Sequence, residues 1–251
     1  MKITFLGTSH GVPSAVRYCS CTVVEVGDAA YIIDAGAPVA DQLLRRGIPF
    51  SHIRAVFTTH VHSDHTGGLP AFLSLCNWYY KKTSFDIFLT EQKLADALLN
   101  IVGSMDSAVD TERLRLRLVT PGVFYEDENI RVTAVSTRHM GNGERPTYSF
   151  VIDALQEGKR LVMTGDMHNG DAADFPQIAK DEPSDCIVCE MAHFPPEVVM
   201  PIVAACPTKR AIYNHVFHKY DHSMAAIRAA EADPSYPFPV HAAEDGDVVI
   251  L

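Results

Sequence analysis

Short apolar runs rich in β-branched residues alternate along this chain with longer segments in which apolar residues recur every three or four positions. The short runs predict strands, one of which ends at Asp34-Ala35-Gly36, and the longer segments predict helices. Because both halves of the chain repeat this alternation, we expect an α/β protein with two sheets packed together and helices outside. The predicted strands are Ile3–Leu6, Cys21–Val26, Ala30–Ile33, Arg54–Thr58, Phe85–Leu89, Leu114–Val119, Ile130–Ser136, Tyr148–Ile152, Arg160–Met163, Cys186–Cys189, Arg210–Tyr213 and Val248–Leu251. The predicted helices are Pro38–Arg46, Leu69–Tyr80, Glu91–Ile101, Pro196–Ala205 and Met224–Ala232.

The composition is typical of a globular protein, since 47% of the residues are hydrophobic and 21% are charged. A chain of 251 residues fits one domain, residues 1–251, built from two halves. The formal net charge of −10 argues against a protein that binds nucleic acid through bulk positive charge. The first apolar run is broken at Gly7, and no run approaches the ~20 apolar residues of a membrane span. We therefore expect a cytoplasmic protein that does not enter a membrane.

Three histidines and one aspartate lie within six residues directly after the fourth predicted strand. Imidazole and carboxylate are good ligands for zinc and similar ions, so this cluster predicts a metal site. Residues two apart on an extended backbone point the same way, and His60 and His62 can therefore serve one ion. Asp64 and His65 lie past a bend and can serve a second ion. Gly67-Gly68 allow close backbone approach where the next helix begins.

His60-x-His62-x-Asp64-His65 resembles the signature of the metallo-β-lactamase superfamily. The resemblance implies an αββα sandwich, in which two mixed β-sheets are flanked by helices and a metal site lies at one edge of the sheets. It also implies three further ligands, each placed after a later strand. By this resemblance one ion is bound by His60, His62 and His139, the other by Asp64, His65 and His215, and Asp166 bridges the two. The resemblance implies two divalent metal ions, with zinc favoured and manganese or iron left open.

Gly7-Thr8-Ser9-His10-Gly11-Val12-Pro13, with Arg17 soon after, is similar to the opening of the tRNase Z-like phosphodiesterase branch of the superfamily. His215-Val216-Phe217-His218-Lys219-Tyr220 resembles the His-Phe-Ser-x-Arg-Tyr segment of that branch. Glu190 stands at the glutamate of its His-Glu-Ala-Thr segment. This chain differs in two ways from the tRNA-cutting members of the branch. Residues 140–165 leave no room for their long basic arm, and the chain is acidic. We therefore expect a small anionic phosphodiester as the substrate, such as a cyclic nucleotide, and not tRNA.

The resemblance implies hydrolysis by a hydroxide held between two cations about 3.5–4 Å apart, which attacks phosphorus in line. The leaving oxygen then needs a proton donor. Glu190, His193, His218 and Lys219 are the candidates for this acid, and His218 or His193 is favoured. The predicted catalytic residues are therefore Asp64, His218, His193 and Glu190.

Other functions stay open on the sequence. The same ligand set serves hydrolases of thioesters, lactones or other esters, and an iron-dependent oxidoreductase can use the same scaffold. A binding module that keeps metal without turnover is a further alternative. The apolar, aromatic helix Leu69–Tyr80 offers a face for a homodimer, although its periodicity also fits burial against a sheet.

Overall fold

A computed structural model describes residues 1–12, 14–105, 108–217 and 221–251. The strands in chain order are β1 (Lys2–Gly7), β2 (Cys21–Val26), β3 (Ala29–Ile33), β4 (Ile53–Phe57), β5 (Phe85–Leu89), β6 (Leu114–Leu118), β7 (Gly122–Glu126), β8 (Ile130–Ser136), β9 (Tyr148–Ala154), β10 (Lys159–Met163), β11 (Cys186–Met191), β12 (Ala211–Val216), β13 (Val240–Ala242) and β14 (Val248–Ile250). The helices are α1 (Val39–Arg45), α2 (Ser63–Thr66), α3 (Leu69–Trp78), α4 (Gln92–Met105), α5 (Gln177–Asp181), α6 (Pro196–Ala204) and α7 (Asp221–Ala232).

The described residues divide into two compact units. The first comprises Met1–Gly7, Gly11–Val119 and Asp245–Ile250, and the second comprises Thr8–His10, Thr120–Glu244 and Leu251. Each unit contains one seven-stranded mixed sheet. The prediction of two mixed β-sheets flanked by helices is confirmed. That residues 1–251 behave as a single domain stays a prediction.

The sheet of the first unit has the strand order β14-β1-β2-β3-β4-β5-β6. Its strands are antiparallel from β14 to β3 and parallel from β3 to β6. Strand β3 is buried at every position, as expected for a strand in the middle of a covered sheet. Leu43 of α1, Leu73 of α3 and Leu98 of α4 belong to one buried cluster with the sheet residues Val23 and Val56. Burial of these apolar side chains holds the helices on the sheet.

The sheet of the second unit has the order β13-β12-β11-β10-β9-β8-β7. It is parallel from β13 to β10 and antiparallel from β10 to β7. Val199 and Val203 of α6 and Ile227 of α7 form a buried cluster with Ile187 and Tyr213. Because β10, β11 and β12 are parallel, their carboxyl ends lie at one edge of the sheet. Loop residues from distant parts of the sequence come together at this edge.

Strands β7 and β13 and the short helices α2 and α5 were not predicted from the sequence, and the predicted helices differ from the observed ones at their ends. Strand β7 is mostly exposed and β13 has three residues, so neither carries a strong apolar pattern. Helix α3 ends at Trp78 rather than at Tyr80, and α4 continues past Ile101 to Met105. Within the described part of the chain, no helix is long and apolar enough to cross a membrane.

Candidate metal ligands

In the first unit, the segment after β4 brings together the four residues of the sequence signature. His60 Nε2 lies 2.9 Å from His62 Nδ1, and the ring centroids of His60 and His65 are 4.1 Å apart. Asp64 Oδ2 lies 3.4 Å from His65 Nε2. His60 and His65 are buried and His62 is exposed. The cluster therefore offers imidazole nitrogens and a carboxylate, the donors that zinc and similar ions prefer.

Glycines allow the backbone of this cluster to pack against the loop after β3. The Ala35 N–H donates to the His65 carbonyl at 2.7 Å, and the Gly68 N–H donates to the Ala35 carbonyl at 2.6 Å. A Cβ atom on Gly36 would lie 1.6 Å from the Asp64 carbonyl oxygen, and one on Gly68 would overlap the same loop. The close approach predicted at Gly68 is confirmed. Gly36 fills the same role, and the sequence did not single it out for this.

Gly36→Ala is expected to lower the free energy of unfolding by about 1–3 kcal/mol, because the added Cβ must displace the Asp64 backbone. Gly103→Ala is the matched control, since a Cβ at this position of α4 meets no atom within 4 Å. It should stabilise the protein by about 1 kcal/mol, as alanine favours a helix over glycine. Urea unfolding measures both changes. Equal effects of the two substitutions would contradict the packing assigned to Gly36.

Asp34 orients one of the predicted ligands, a role the sequence did not reveal. Its buried carboxylate accepts the Thr59 N–H at 2.8 Å, and Asp34 Oδ2 lies 2.7 Å from His65 Nδ1. In the hydrogen bond between His65 and Asp34 the proton is on Nδ1 of the ring. The lone pair of the ring is therefore on Nε2, and this atom would bind an ion. Asp34 holds a positive φ of 58°, a conformation that is uncommon for non-glycine residues. The signal in the sequence was an acid at a strand end.

In the second unit, a buried carboxylate lies among three imidazoles. Asp166 follows β10, and its Oδ2 lies 3.3 Å from His215 Nε2, 3.7 Å from His139 Nε2 and 3.8 Å from His193 Nε2. Ligand atoms of Asp166, His193 and His215 all lie within 4.8 Å of one another, a grouping that suits a metal ion. His139 Nδ1 lies 3.2 Å from the Met167 carbonyl, which accepts a hydrogen bond from the Nδ1–H group and leaves the lone pair on Nε2 to bind a metal.

His215 owes its orientation to an irregularity in β12. The pairing register between β11 and β12 shifts at this point, and His215 has a positive φ of 54°. A bulge of this kind redirects a side chain relative to the regular strand. The ring of His10 lies 5.4 Å from that of His215 and 5.8 Å from that of His193, between centroids. His10 thus belongs to the same histidine cluster.

Glu190 and His193, both predicted as catalytic residues, form one hydrogen-bonded unit. The buried Glu190 carboxylate accepts the N–H groups of Met167 at 2.8 Å, Ala192 at 3.0 Å and His193 at 3.1 Å. It also lies 2.8 Å from His193 Nδ1. With Nδ1 donating to Glu190, His193 Nε2 faces Asp166. The contacts therefore assign Glu190 to positioning His193, and they leave Nε2 of His193 directed at the cluster.

Glu190→Gln is expected to lower kcat roughly 10²-fold with little change in KM, because an amide group would face N–H donors and release His193. Glu197→Gln, an exposed position in α6, is the control. Wild-type kcat in Glu190→Gln would refute the positioning role.

The cysteines of β11 have the spacing of soft-metal ligands but not the chemistry. Cys186 and Cys189 are both fully buried. Burial raises the pKa of the Cys186 thiol to about 12 and the pKa of the Cys189 thiol well above its ordinary value. Protonated thiols are poor metal ligands. The candidate donors are therefore the imidazoles and carboxylates.

The structure thus groups the predicted residues by unit. His60, His62, Asp64 and His65 lie together in the first, and His139, Asp166, His193 and His215 lie together in the second with Glu190. The remaining acid candidates, His218 and Lys219, lie outside the described residues.

The family model described as Anti-Pycsar protein Apyc1 matches residues 1–199. The chain belongs to this family. A curated relative, Ribonuclease Z of Cyanothece sp. (strain PCC 7425 / ATCC 29141), is 33% identical over 141 residues, which are 55% of this chain and 43% of that protein. The chain therefore spans less than half the length of this relative.

Two solved structures share the fold of the Apyc1-family chain. The metallo-β-lactamase fold protein YhfI of Bacillus subtilis has a TM-score of 0.78 at 18% identity, over 99% of this chain and 98% of that one. A diphosphatase of the PhnP family has a TM-score of 0.71 at 17% identity, over 100% and 97%. The predicted fold and the tRNase Z-like branch of the metallo-β-lactamase superfamily are confirmed. By their names, Ribonuclease Z and the diphosphatase are hydrolases, which agrees with the prediction of a metal-dependent hydrolase for this chain.

Proposed function

We propose that this chain is a phosphodiesterase that uses two divalent metal ions, most simply zinc, to hydrolyse a small anionic phosphodiester. The observation that carries the proposal is the orientation of the donors. Hydrogen bonds from Nδ1 of His65 to Asp34 and from Nδ1 of His139 to the Met167 carbonyl direct the Nε2 lone pairs toward carboxylates. Imidazoles held in this way are ready to bind metal without further reorganisation.

The ligand assignment follows the superfamily signature. One ion would be held by His60, His62 and His139, the other by Asp64, His65 and His215, with Asp166 shared. When bound, the two ions supply the positive charge that lowers the pKa of a water and offsets the charge of the phosphate. Manganese or iron could take the place of zinc at such donors.

The chain's own residues supply the proton chemistry. His193 Nε2, with Nδ1 held by Glu190, would donate a proton to the leaving oxygen. The buried Glu190 carboxylate offsets the positive charge of the doubly protonated ring. Among the acid candidates of the sequence, His193 is therefore the one that we propose.

Two properties of the chain favour a small substrate over tRNA. Only residues 140–165 lie between His139 and Asp166, and in the structure they form β9, β10 and short turns. The net charge of −10 does not provide the phosphate contacts on which backbone binding depends. Ribonuclease Z and the PhnP-family diphosphatase, by their names, act at phosphate bonds, which supports a phosphodiester over a thioester or lactone.

Turnover by the purified, zinc- or manganese-loaded protein tests the proposal. The panel is bis(p-nitrophenyl) phosphate, cyclic nucleotides, a precursor tRNA, a thioester and a lactone. We expect cleavage of small phosphodiesters and none of the tRNA, together with two metal ions per chain. Turnover of only the thioester or lactone would replace the proposal by an ester hydrolase. A coloured iron protein with oxygen-dependent chemistry would replace it by an oxidoreductase.

Partners are part of the same proposal. We propose a small anionic substrate and retain the homodimer as a prediction. Light scattering coupled to size exclusion on the metal-loaded protein measures the oligomeric state, and a monomer at all concentrations would contradict the homodimer.

A further inference from the structure

A cavity of about 660 Å³ opens in the first unit beside the carboxyl ends of α1 and α3. One side is formed by the segment from Leu44 to Ser51, and the other by Tyr79 to Thr83. No residue predicted to bind metal lines it. The volume falls in the range of about 300–1,000 Å³ that small-molecule sites occupy. The cavity is therefore large enough for a ligand, and it is separate from the residues of the proposed reaction.

The walls of the cavity are apolar and rigidly supported. The rings of Phe50 and Tyr80 stack in parallel, with centroids 3.9 Å apart and an interplanar angle of 3°. Phe50 is buried and also contacts Phe72 of the core, at 5.9 Å between centroids. The preformed aromatic wall would therefore accept a ligand ring without rearrangement.

Two apolar side chains beside this wall are open to solvent. Tyr79 is 80% exposed and Leu44 is 59% exposed. An exposed aromatic ring next to a second, fixed ring is an arrangement that favours stacking with a flat ligand. Trp78, Tyr79 and Tyr80 follow one another in the sequence, and the function proposed above assigns no role to Tyr79 or Tyr80.

The rim of the cavity carries positive charge. Lys81 and Lys82 line it, and no aspartate or glutamate is found among its described lining residues. Lys81 and Lys82 are both exposed, and Lys81 Nζ lies over the ring of Trp78, 5.7 Å from its centroid. In a chain of net charge −10, two cations beside an apolar cavity form a local field that attracts an anion.

We propose that this cavity binds a small organic anion with an aromatic ring system and a carboxylate, sulfonate or phosphate group. The ring system packs between Tyr79 and the Phe50–Tyr80 wall, and the acidic group pairs with Lys82. This site is additional to the proposed phosphodiesterase site, and it does not depend on the chemistry there.

Binding of 8-anilinonaphthalene-1-sulfonate to the metal-loaded protein tests the site. Trp78 is the single tryptophan of the chain and precedes the cavity residue Tyr79, so its emission should be quenched by a probe that binds in the cavity. We expect saturable binding with quenching of Trp78. The uncharged analogue N-phenyl-1-naphthylamine should bind about tenfold more weakly, because it lacks the group that pairs with Lys82.

Tyr79→Ala and Lys82→Glu should each weaken binding of the sulfonate probe about tenfold. Both side chains are exposed, so the fold and the hydrolytic activity should be unchanged. Lys93→Glu makes the same change of charge on an exposed position of α4 that does not line the cavity, and should leave binding unaltered.

Three results would overturn the proposal. They are the absence of saturable binding, binding without quenching of Trp78, and affinities that neither cavity variant changes. The proposal would also be overturned if the wild-type protein were a dimer that binds no probe and the Tyr79→Ala variant were a monomer. A second copy of the chain would then cover this face. None of these results depends on phosphodiester turnover, so failure of this proposal and failure of the proposed function are distinguishable.

Discussion

Asp166→Asn is expected to abolish phosphodiester turnover, with a loss of at least about 10³-fold in kcat/KM, and to release metal. The carboxylate is buried and lies within 3.8 Å of three imidazole nitrogens, so it is the charge that the proposed ions would share. The neutral amide binds divalent ions weakly, and metal catalysis contributes several kcal/mol, which corresponds to this factor. Elemental analysis and turnover of bis(p-nitrophenyl) phosphate on the same preparation measure both effects.

Asp41→Asn is the control, because Asp41 is an exposed acid in the first turn of α1. It should keep wild-type activity and metal content. If Asp166→Asn retained full metal and full turnover, Asp166 would not be a ligand and the two-metal assignment would be wrong.

Asp34→Asn is expected to weaken metal binding about 10–100-fold. When the metal concentration is limiting, turnover should fall by a larger factor than the affinity. The side chain keeps its shape, but its amide can donate to Nδ1 of His65 where the carboxylate accepts. The proton of the ring then moves to Nε2, the atom that should bind the ion. Substitution of this kind in a catalytic triad costs roughly 10⁴ in kcat through the wrong tautomer.

Competition with a chromophoric chelator measures the affinity of Asp34→Asn for zinc, and excess zinc should restore part of its activity. Asp28→Asn, in the exposed turn between β2 and β3, provides the control with the same chemical change. Affinity equal to wild type in Asp34→Asn would show that the contact with His65 does not orient a ligand.

The sequence predicted well those elements whose pattern is local. Strand β8 has the bounds that its alternation predicts, and the His60 to His65 cluster lies directly after a buried strand as expected. Strand β13 was not predicted, because Val240-His241-Ala242 is short and is not an apolar run, and the strand depends on its pairing with β12. Exposed β7 depends in the same way on its pairing with β8.

The candidate site likewise has features that the sequence predicts and features that only the structure shows. Through the resemblance to the superfamily signature, the order of residue types along the chain predicts the metal ligands His60, His62, Asp64, His65, His139, Asp166 and His215, since ligand chemistry and placement after a strand are local properties. The sequence by itself also determined the membership of the superfamily.

Only the tertiary structure decided how those donors are oriented. Asp34 reaches His65 across 31 positions in the chain because β3 and β4 are parallel neighbours. Glu190 meets the Met167 N–H 23 positions away because β10 and β11 are also parallel neighbours. The physical reason is that a hydrogen bond needs a separation near 3 Å, and strand register sets such separations between residues that no periodicity relates.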